Sequence, residues 1–254
     1  MPSASMHPVN SLHLTPGMSA QKIAVDFANG VAKIWDRELG RRLIGIYLIG
    51  SLAHGGFSAR YSDIDMALIA EGPLESGEID LVNRKVGAHS ATLASRLSLF
   101  WTDQYFSIGR FPPLDRVDYI DHGVTLLERR HVCAARPTLA EIRTYLCAEP
   151  FRNWSRQVQR LIALDELTID DHKHFLRAFL YPARFFYSWE TGAMGSNDKA
   201  VAFLQSRAPE IDLDVIARAL HCRNHGEEPQ SLFPERSKLL QLRDVCEQLI
   251  AAER

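Results

Sequence analysis

Two apolar segments separated by a short stretch of small and acidic residues constrain the fold of this chain more than any other feature. The first segment is Leu43–Ile49 and the second covers residues 66–69. Their aliphatic composition, bounded by glycine and aspartate, predicts a strand, a turn and a second strand. Between them, eleven residues separate Gly50-Ser51 from Asp63-Ile64-Asp65. The chain is therefore expected to fold back here and to place two acids where the second strand begins.

These small and acidic residues predict a site for a metal ion and a phosphate. Side chains alternate along a strand, so Asp63 and Asp65 should lie on one face. Neighbouring carboxylates repel each other unless a cation lies between them, and Mg²⁺ often links carboxylates to a phosphate. Gly50 permits close approach of the backbone, and Ser51 offers an amide and a hydroxyl to phosphate oxygens. The alternative interpretation is a solvated strand end, which is what Asp-x-Asp alone more often marks.

Composition excludes several classes of protein. The 254 residues are 46% hydrophobic and 24% charged, which is ordinary for a globular protein of one large or two modest domains. A formal net charge of −2 argues against extended nucleic-acid binding, which needs clustered positive charge. No apolar run approaches the ~20 residues that span a bilayer, and the first residues lack a secretory signal pattern. Cysteines without paired spacing favour reduced thiols. We therefore expect a cytoplasmic protein that does not insert in membranes.

The predicted elements divide the chain into two domains. Residues 1–16 are expected to be a disordered tail. Residues 17–134 mix helices with strands, and we predict a small mixed sheet flanked by helices, with a helix over residues 78–96 and a turn at residues 111–113. Residues 135–254 show only helical periodicity after a capping box at Thr138 and Glu141, which predicts an all-α bundle. The fold class is therefore α+β.

A third carboxylate is expected to complete the site. Asp103 ends the predicted strand over residues 97–103, which could lie beside the strand that carries Asp63 and Asp65. There it could bind metal and accept the proton of an attacking hydroxyl. The alternative is that Asp103 only caps the turn that leads to Pro112.

Taken together, these residues resemble the nucleotidyltransferase superfamily that includes DNA polymerase β. They are similar in particular to the bacterial aminoglycoside adenylyltransferases that act on streptomycin and spectinomycin. The resemblance covers most of the chain from about residue 20. It rests on Gly50-Ser51, on Asp63 and Asp65, and on the run from Arg184 to Gly192, which is similar to a family helix that carries an Arg, a Tyr and then Glu-Thr-Gly. Asp103 falls at the family's place for the catalytic base, which is usually Glu.

The resemblance implies transfer of AMP from ATP to a hydroxyl of a small acceptor, with release of pyrophosphate. The implied acceptor is an aminoglycoside-like antibiotic, and the implied protein confers antibiotic resistance. The sequence leaves the oligomeric state open, and we favour a monomer. Two Mg²⁺ ions would be held by Asp63, Asp65 and Asp103. The implied nucleotide-binding residues are Gly50, Ser51, Ser62, Arg184 and Lys199.

One position departs from the family pattern. Thirteen residues beyond the Arg, the family usually has a triphosphate-binding Lys that follows a Ser. Here Ser196 is followed by Asn197, and Lys199 stands two residues further on. We therefore expect Lys199 to substitute, or nucleotide binding to be weakened.

An aminoglycoside is a polycation, so its pocket should be acidic. The candidate acids lie at a predicted junction between two helices: Asp165, Glu166, Asp170 and Asp171. The alternative is that these acids only cap the helix and complement its dipole.

Two further functions stay open. The first is a nucleotidyltransferase that modifies RNA or a protein hydroxyl. It is suggested by three arginines on one face of a predicted helix, which could bind successive phosphates: Arg152, Arg156 and Arg160. A solvated charged face is the simpler interpretation. A catalytically weak nucleotide-binding module is suggested by Asn197.

Overall fold

The structure is a computed structural model that describes residues 19–207 and 211–252. The predicted tail, residues 1–16, lies outside the described residues. The first half contains five strands and five helices: α1 Ala20–Leu39, β1 Leu43–Ile49, α2 Ser51–His54, β2 Ile64–Ala70, α3 Ser76–His89, α4 Ala91–Ala94, β3 Leu97–Asp103, β4 Gly109–Arg110, α5 Pro113–His122 and β5 Val124–Glu128.

Helices alone form the second half of the described chain: α6 Leu139–Cys147, α7 Glu149–Ile162, α8 Ile169–Thr191, α9 Asn197–Arg207, α10 Leu213–His225 and α11 Lys238–Ala252. Short 3-10 turns cover Gly40–Arg42 and Pro229–Glu235. The predicted capping box is present, because Thr138 accepts from the Glu141 amide while Glu141 accepts from the Thr138 amide. The predicted α+β class is confirmed, with a mixed sheet followed by a helical region.

The five strands form one sheet in the order β4-β3-β2-β1-β5. β2 and β3 are parallel, and the other neighbouring pairs are antiparallel. β1 is buried along its whole length, which explains its uninterrupted apolar sequence. Its register pairs Ile49 with Asp65, so the end of β1 lies beside the start of β2.

The two faces of β2 meet different surroundings. Ile64, Met66 and Leu68 pack into a core with α1 and α3. Ala67 and Ile69 belong to a smaller cluster on the opposite face, which Tyr119 of α5 also joins. Since Asp65 alternates with Ile64 and Met66, it lies on the α5 side of the sheet.

The helical region has its own core around α8. Its largest fully buried side chains are Phe175, Phe179, Phe185 and Trp189, all from this helix. Tyr61, from the connection between β1 and β2, is buried in the same cluster. The two halves therefore share buried surface next to Asp63. The domain limits at residues 17–134 and 135–254 stay a prediction.

The connection between α2 and β2 is bonded to the end of α10. Arg223 donates to the Gly56 carbonyl at 2.7 Å and to the Ser62 hydroxyl at 2.8 Å. The Ser58 hydroxyl donates to the Arg223 carbonyl at 2.7 Å, and the Tyr61 hydroxyl donates to the Glu227 carbonyl at 2.6 Å. These bonds fix the segment that leads into Asp63.

Candidate active site

The turn after β1 is shaped by Gly50 and lies against Asp65. Gly50 has φ 68°, a conformation that side chains rarely adopt. A Cβ added there would collide with the Asp65 carboxylate. The Gly50 amide donates to Asp118 Oδ2 at 2.5 Å, so an acid of α5 holds the turn in place. Ser51 begins α2 directly after this turn and is partly exposed.

Asp63 and Asp65 lie together at the start of β2, as their spacing predicts. Burial raises the pKa of Asp65 to about 6, and the neighbouring Asp63 carboxylate adds to the rise, while Arg184 opposes it. Asp63 Oδ1 forms an ion pair with the Lys173 amine of α8. The two acids are therefore mutually repulsive and already attract positive charge from the helical region.

Three basic residues of α8 lie along this acidic pair. Lys173, Arg177 and Arg184 share one face of the helix, since they are four and seven residues apart. Burial lowers the pKa of Arg184, and so does the charge of Arg177, whereas Asp65, Asp118 and Asp115 oppose the change. Arg184 is partly exposed and lies near Asp65, Asp115 and Asp118. We call the space between α5, α8 and the start of β2 the cleft.

Asp103 lies elsewhere, and its predicted placement is wrong. β3 does neighbour β2, but the parallel register pairs Asp65 with Ser98 and Ala70 with Asp103. Asp103 is thus five residues further along the strand than the partner of Asp65, or ~17 Å at the usual rise. It accepts 2.7 Å hydrogen bonds from the Ser107 amide and the Ser107 hydroxyl. The alternative interpretation, a turn cap, describes this geometry.

The hydrogen bonds at Asp103 also oppose a role as a base. Burial by itself would raise the pKa of this carboxyl, but the bonds from Ser107 and Ile108 outweigh it and lower the pKa. A carboxylate whose pKa is lowered in this way is a weak proton acceptor.

Asp115 supplies the third carboxylate near Asp65. It lies in the first turn of α5, a helix that replaces the predicted turn at residues 111–113. Burial raises the pKa of Asp115 to about 7, and the Asp65 and Asp118 carboxylates add to the rise. Within the described chain it makes no ion pair with another residue. The available signals were Pro113 at the first helical position and an acid in the first turn, both typical of helix starts.

Asp118 and two histidines complete the α5 side of the cleft. Asp118 is almost fully buried, and its Oδ1 lies 3.2 Å from His122 Nδ1. The rings of His54 and His122 are 5.6 Å apart. Burial lowers the pKa of His54, the Asp118 carboxylate opposes the change, and Arg184 adds to it. Arg184 therefore lies near the Gly50-Ser51 end of the cleft.

The other predicted nucleotide-binding residues divide into two groups. Ser62 is buried, and its hydroxyl oxygen accepts from the Ser58 amide and from Arg223, so this oxygen already has two structural partners. Lys199 is exposed in the first turn of α9, with its amine 5.4 Å from the Tyr187 ring centre. The start of α9 also lies close to the glycine-rich turn, because a Cβ at Gly56 would contact Ser196 at 3.2 Å. Lys199 thus stands on the same side of the cleft as Ser51.

The predicted acidic acceptor cluster lies around the start of α8, where Asp170 shares a helix face with Lys173. Asp171 is buried, where it pairs with Arg160 at 2.8 Å and accepts from the Thr168 hydroxyl at 2.6 Å. Asp165, Glu166 and Asp170 are exposed around the start of α8. The residue of α8 that reaches the acidic pair is basic, Lys173.

The residues present can supply part of a magnesium site. Among the described residues, no three His, Cys, Asp or Glu side chains are grouped to hold a metal. Asp63 and Asp65 nonetheless offer carboxylate oxygens from one face of a strand, and their repulsion favours a cation between them. Mg²⁺ is commonly bound by one or two carboxylates, with substrate phosphates and water as the other ligands. The pair fits this chemistry.

Comparison with known proteins supports the fold. No family model and no curated protein matches the sequence. Among solved structures, the chain is similar to the spectinomycin adenyltransferase AAD(9) of Enterococcus faecalis, solved with ATP and spectinomycin. The TM-score is 0.68 at 13% sequence identity, over 88% of this chain and 99% of that one. The two proteins therefore share a fold along nearly their whole lengths.

Smaller similarities exist to toxin–antitoxin structures. One is the complex of a tri-AMPylated HEPN toxin of Shewanella oneidensis with its MNT antitoxin, at 20% identity, over 55% of this chain and 92% of that one. Its TM-score is 0.28, which is too low to compare the two structures in detail.

Proposed function

We propose that this protein is a nucleotidyltransferase that transfers AMP from ATP to a hydroxyl of a small acceptor. The observation that carries the proposal is the convergence of Gly50-Ser51, the Asp63–Asp65 pair and Arg184 in one cleft of an adenyltransferase fold. The shared fold alone would not suffice, because one fold supports many functions.

The proposed roles follow from position. The Gly50-Ser51 turn offers amide and hydroxyl donors to the triphosphate, and Arg184 and Lys199 neutralise its charge. Arginine suits this task because its planar fork can donate two parallel hydrogen bonds to phosphate oxygens. Asp63 and Asp65 would hold Mg²⁺, which would neutralise charge on the phosphates and orient them. Asp103 lies far away along β3 and would not reach a cation held by this pair.

The reaction in this proposal is an in-line displacement. The acceptor oxygen forms a bond to the α-phosphorus, the bond from that phosphorus to the bridging oxygen breaks, and pyrophosphate leaves with the electron pair. Asp115 receives the hydroxyl proton, because it is a carboxylate in the cleft that no ion pair within the described residues engages. Its pKa of about 7 suits a general base at neutral pH.

The test is pyrophosphate release from ATP and Mg²⁺ across a panel of acceptors. Streptomycin and spectinomycin enter the panel because the structural neighbour was solved with spectinomycin. We expect Asp65→Asn to reduce turnover at least a hundredfold, since the pair then loses a charged ligand. Unchanged turnover in Asp65→Asn, or failure of the wild-type protein to bind ATP with Mg²⁺, would refute the proposal.

A further inference from the structure

The basic residues of α8 extend beyond the part of the cleft that the triphosphate needs. Lys173 and Arg184 are eleven residues apart, or ~16 Å along a helix. Arg184 lies at one end, near His54 and Asp118, and thus near the Gly50-Ser51 turn. Lys173 lies at the other end, on Asp63. Arg177 stands between them and acts on Asp65.

The end of the cleft away from Ser51 is lined by further basic and aromatic groups. Burial raises the pKa of Tyr145 in α6 to about 12, and Asp115 adds to the rise, whereas Arg110 and Arg177 oppose it. All three charged residues therefore lie near the Tyr145 hydroxyl. The Arg110 guanidinium lies 5.6 Å from the ring centre of Phe100, which alternates with Leu99 and Trp101 and so faces the same side of β3 as Ser98.

Two basic side chains of α8 become available at this end once the acidic pair binds a cation. Asp63 would then coordinate the metal, and its present partner Lys173 would be released into the cleft. Arg177 is exposed and has no ion pair with another described residue, so it is also available. The opposing acids are Asp115, which the mechanism uses, Asp170, one helical turn before Lys173, and Glu149, which acts on Tyr145 from the exposed start of α7.

From this charge distribution we propose that the acceptor is a small hydroxyl compound with an anionic group, a phosphate or a carboxylate, which Arg177 and Lys173 bind. This inference rests on the proposed nucleotidyl transfer and concerns the second substrate alone. A polycation such as streptomycin would meet the Lys173 amine and the Arg177 guanidinium at this end, and like charges at close range disfavour binding.

RNA is anionic as well, but the arginines of α7 give it no continuous track. Arg152 donates to the Ala148 carbonyl of its own chain segment at 3.2 Å, and Arg160 pairs with the buried Asp171. Arg156 forms a hydrogen bond with Asn153 on the same helix. The basic groups that this proposal uses, Lys173 and Arg177, lie on α8 beside the acidic pair and do not continue along α7.

The experiment measures acceptor binding to the full chain saturated with Mg²⁺ and α,β-methylene-ATP, which occupies the triphosphate site and cannot transfer AMP. Calorimetric titrations compare four compounds of related shape: glucose 6-phosphate, gluconate, glucose and glucosamine. The two anions distinguish a phosphate from a carboxylate. Streptomycin and a short single-stranded RNA are titrated alongside them.

We expect at least one anion to bind at least tenfold more tightly than glucose, and glucosamine to bind no better than glucose. Arg177→Glu should weaken binding of the anion at least tenfold, measured at concentrations of Mg²⁺ and nucleotide analogue that saturate the variant. Arg177→Lys should retain most of the binding. Arg156→Glu, an equal charge reversal on the neighbouring helix α7, should have no effect.

The inference is overturned if glucosamine or streptomycin binds more tightly than both anions, if neither anion binds, or if Arg177→Glu leaves anion binding unchanged. Tight binding of RNA alone would replace it with a macromolecular acceptor. These outcomes differ from failure of the nucleotide analogue to bind, which would refute the proposed function and this inference together.

Discussion

At the scale of single residues, the close packing of Gly50 against Asp65 and the charged groups around Asp65 shape the candidate site. Gly50 has to be glycine because its φ is positive and a Cβ would occupy the place of the Asp65 carboxylate. The same close approach brings the Gly50 amide to Asp118. A turn that could be recognised from Gly50-Ser51 alone is therefore held by an acid almost seventy residues later in the chain.

The role of Asp115 can be tested against Asp103 as a matched control. Asp115→Asn should lower kcat by about a hundredfold to ten-thousandfold, the usual contribution of a general base. Asp103→Asn should leave kcat nearly unchanged and lower the melting temperature, because the bonds to Ser107 lose a charged acceptor. Steady-state rates and thermal melts of the two variants measure these effects.

The pH profile gives a second measure of the same role. Burial and two neighbouring acids raise the pKa of Asp115 to about 7, and a base acts only when it is deprotonated. Activity should therefore rise as the pH increases through about 7, or somewhat lower with Mg²⁺ bound. Asp115→Asn should lack this rise. If Asp103→Asn removes the rise instead, the assignment is wrong.

At the scale of elements, α5 and α8 supply most of what surrounds the Asp63–Asp65 pair. α5 brings Asp115 and Asp118, and α8 brings Lys173, Arg177 and Arg184. Sequence analysis predicted helices throughout residues 135–254, where α8 lies, from their periodicity. It missed α5, because the two prolines at residues 112–113 were interpreted as a turn when they mark the start of a helix.

α8 also contains Pro182, whose missing N–H leaves the Ala178 carbonyl without its helical donor. The buried Trp154 indole of α7 donates to this carbonyl at 3.0 Å, and its ring stacks on Tyr181 with centres 4.6 Å apart. The Trp154 side chain thus supplies the hydrogen bond that Pro182 cannot donate within α8. This hydrogen bond and the stacked rings hold α8, which carries Arg184, against α7.

Trp154→Phe should destabilise the protein by about 1–3 kcal/mol, the cost of leaving a buried carbonyl unpaired, in addition to lost packing. In a Pro182→Ala background the backbone amide of residue 182 can donate to the Ala178 carbonyl. Trp154→Phe should then lower the free energy of unfolding by less. Urea unfolding of the four proteins of this double-mutant cycle gives the coupling energy. Equal costs in both backgrounds would show that the indole bond contributes nothing.

At the scale of the whole molecule, the site exists only where the two halves of the chain meet. The Asp63–Asp65 pair comes from the sheet, and its positive partners come from the helical region. Arg223 of α10 connects them by its bonds to Gly56 and Ser62, directly before Asp63.

Each helix of the described residues is too short or too polar to span a bilayer.

Arg223→Met should weaken binding of ATP with Mg²⁺ by roughly tenfold. The variant loses the hydrogen bonds from Arg223 that hold the loop before Asp63, and a hydrogen bond to a charged group contributes about 1.5–3 kcal/mol. Arg218→Met, on the same helix, removes ion pairs to Asp214 and Glu235 that lie within the helical region. It should leave nucleotide affinity unchanged. Calorimetric titration measures both variants, and equal affinities for Arg223→Met and the wild type would exclude this role for the contact.

The sequence by itself determined the class of the fold and the close placement of Gly50-Ser51 and the Asp63–Asp65 pair. Strand alternation placed Asp63 and Asp65 on one face, and the glycine and serine marked the turn, because local geometry decides both. The strand over residues 97–103 was also predicted correctly, but its register was not. Register follows from packing between strands, and here it moves Asp103 away and brings Ser98 beside Asp65.

Only the tertiary structure decided which charges meet. Asp115, Asp118, Lys173 and Arg177 reach the cleft from segments far apart in the chain, and nothing in their local sequence indicates a shared site. Our proposal for the acceptor rests on Lys173 and Arg177 for the same reason, whereas the sequence pointed to acids. Electrostatic interactions depend on distance and burial in the folded chain, and neither can be read from spacing along the sequence.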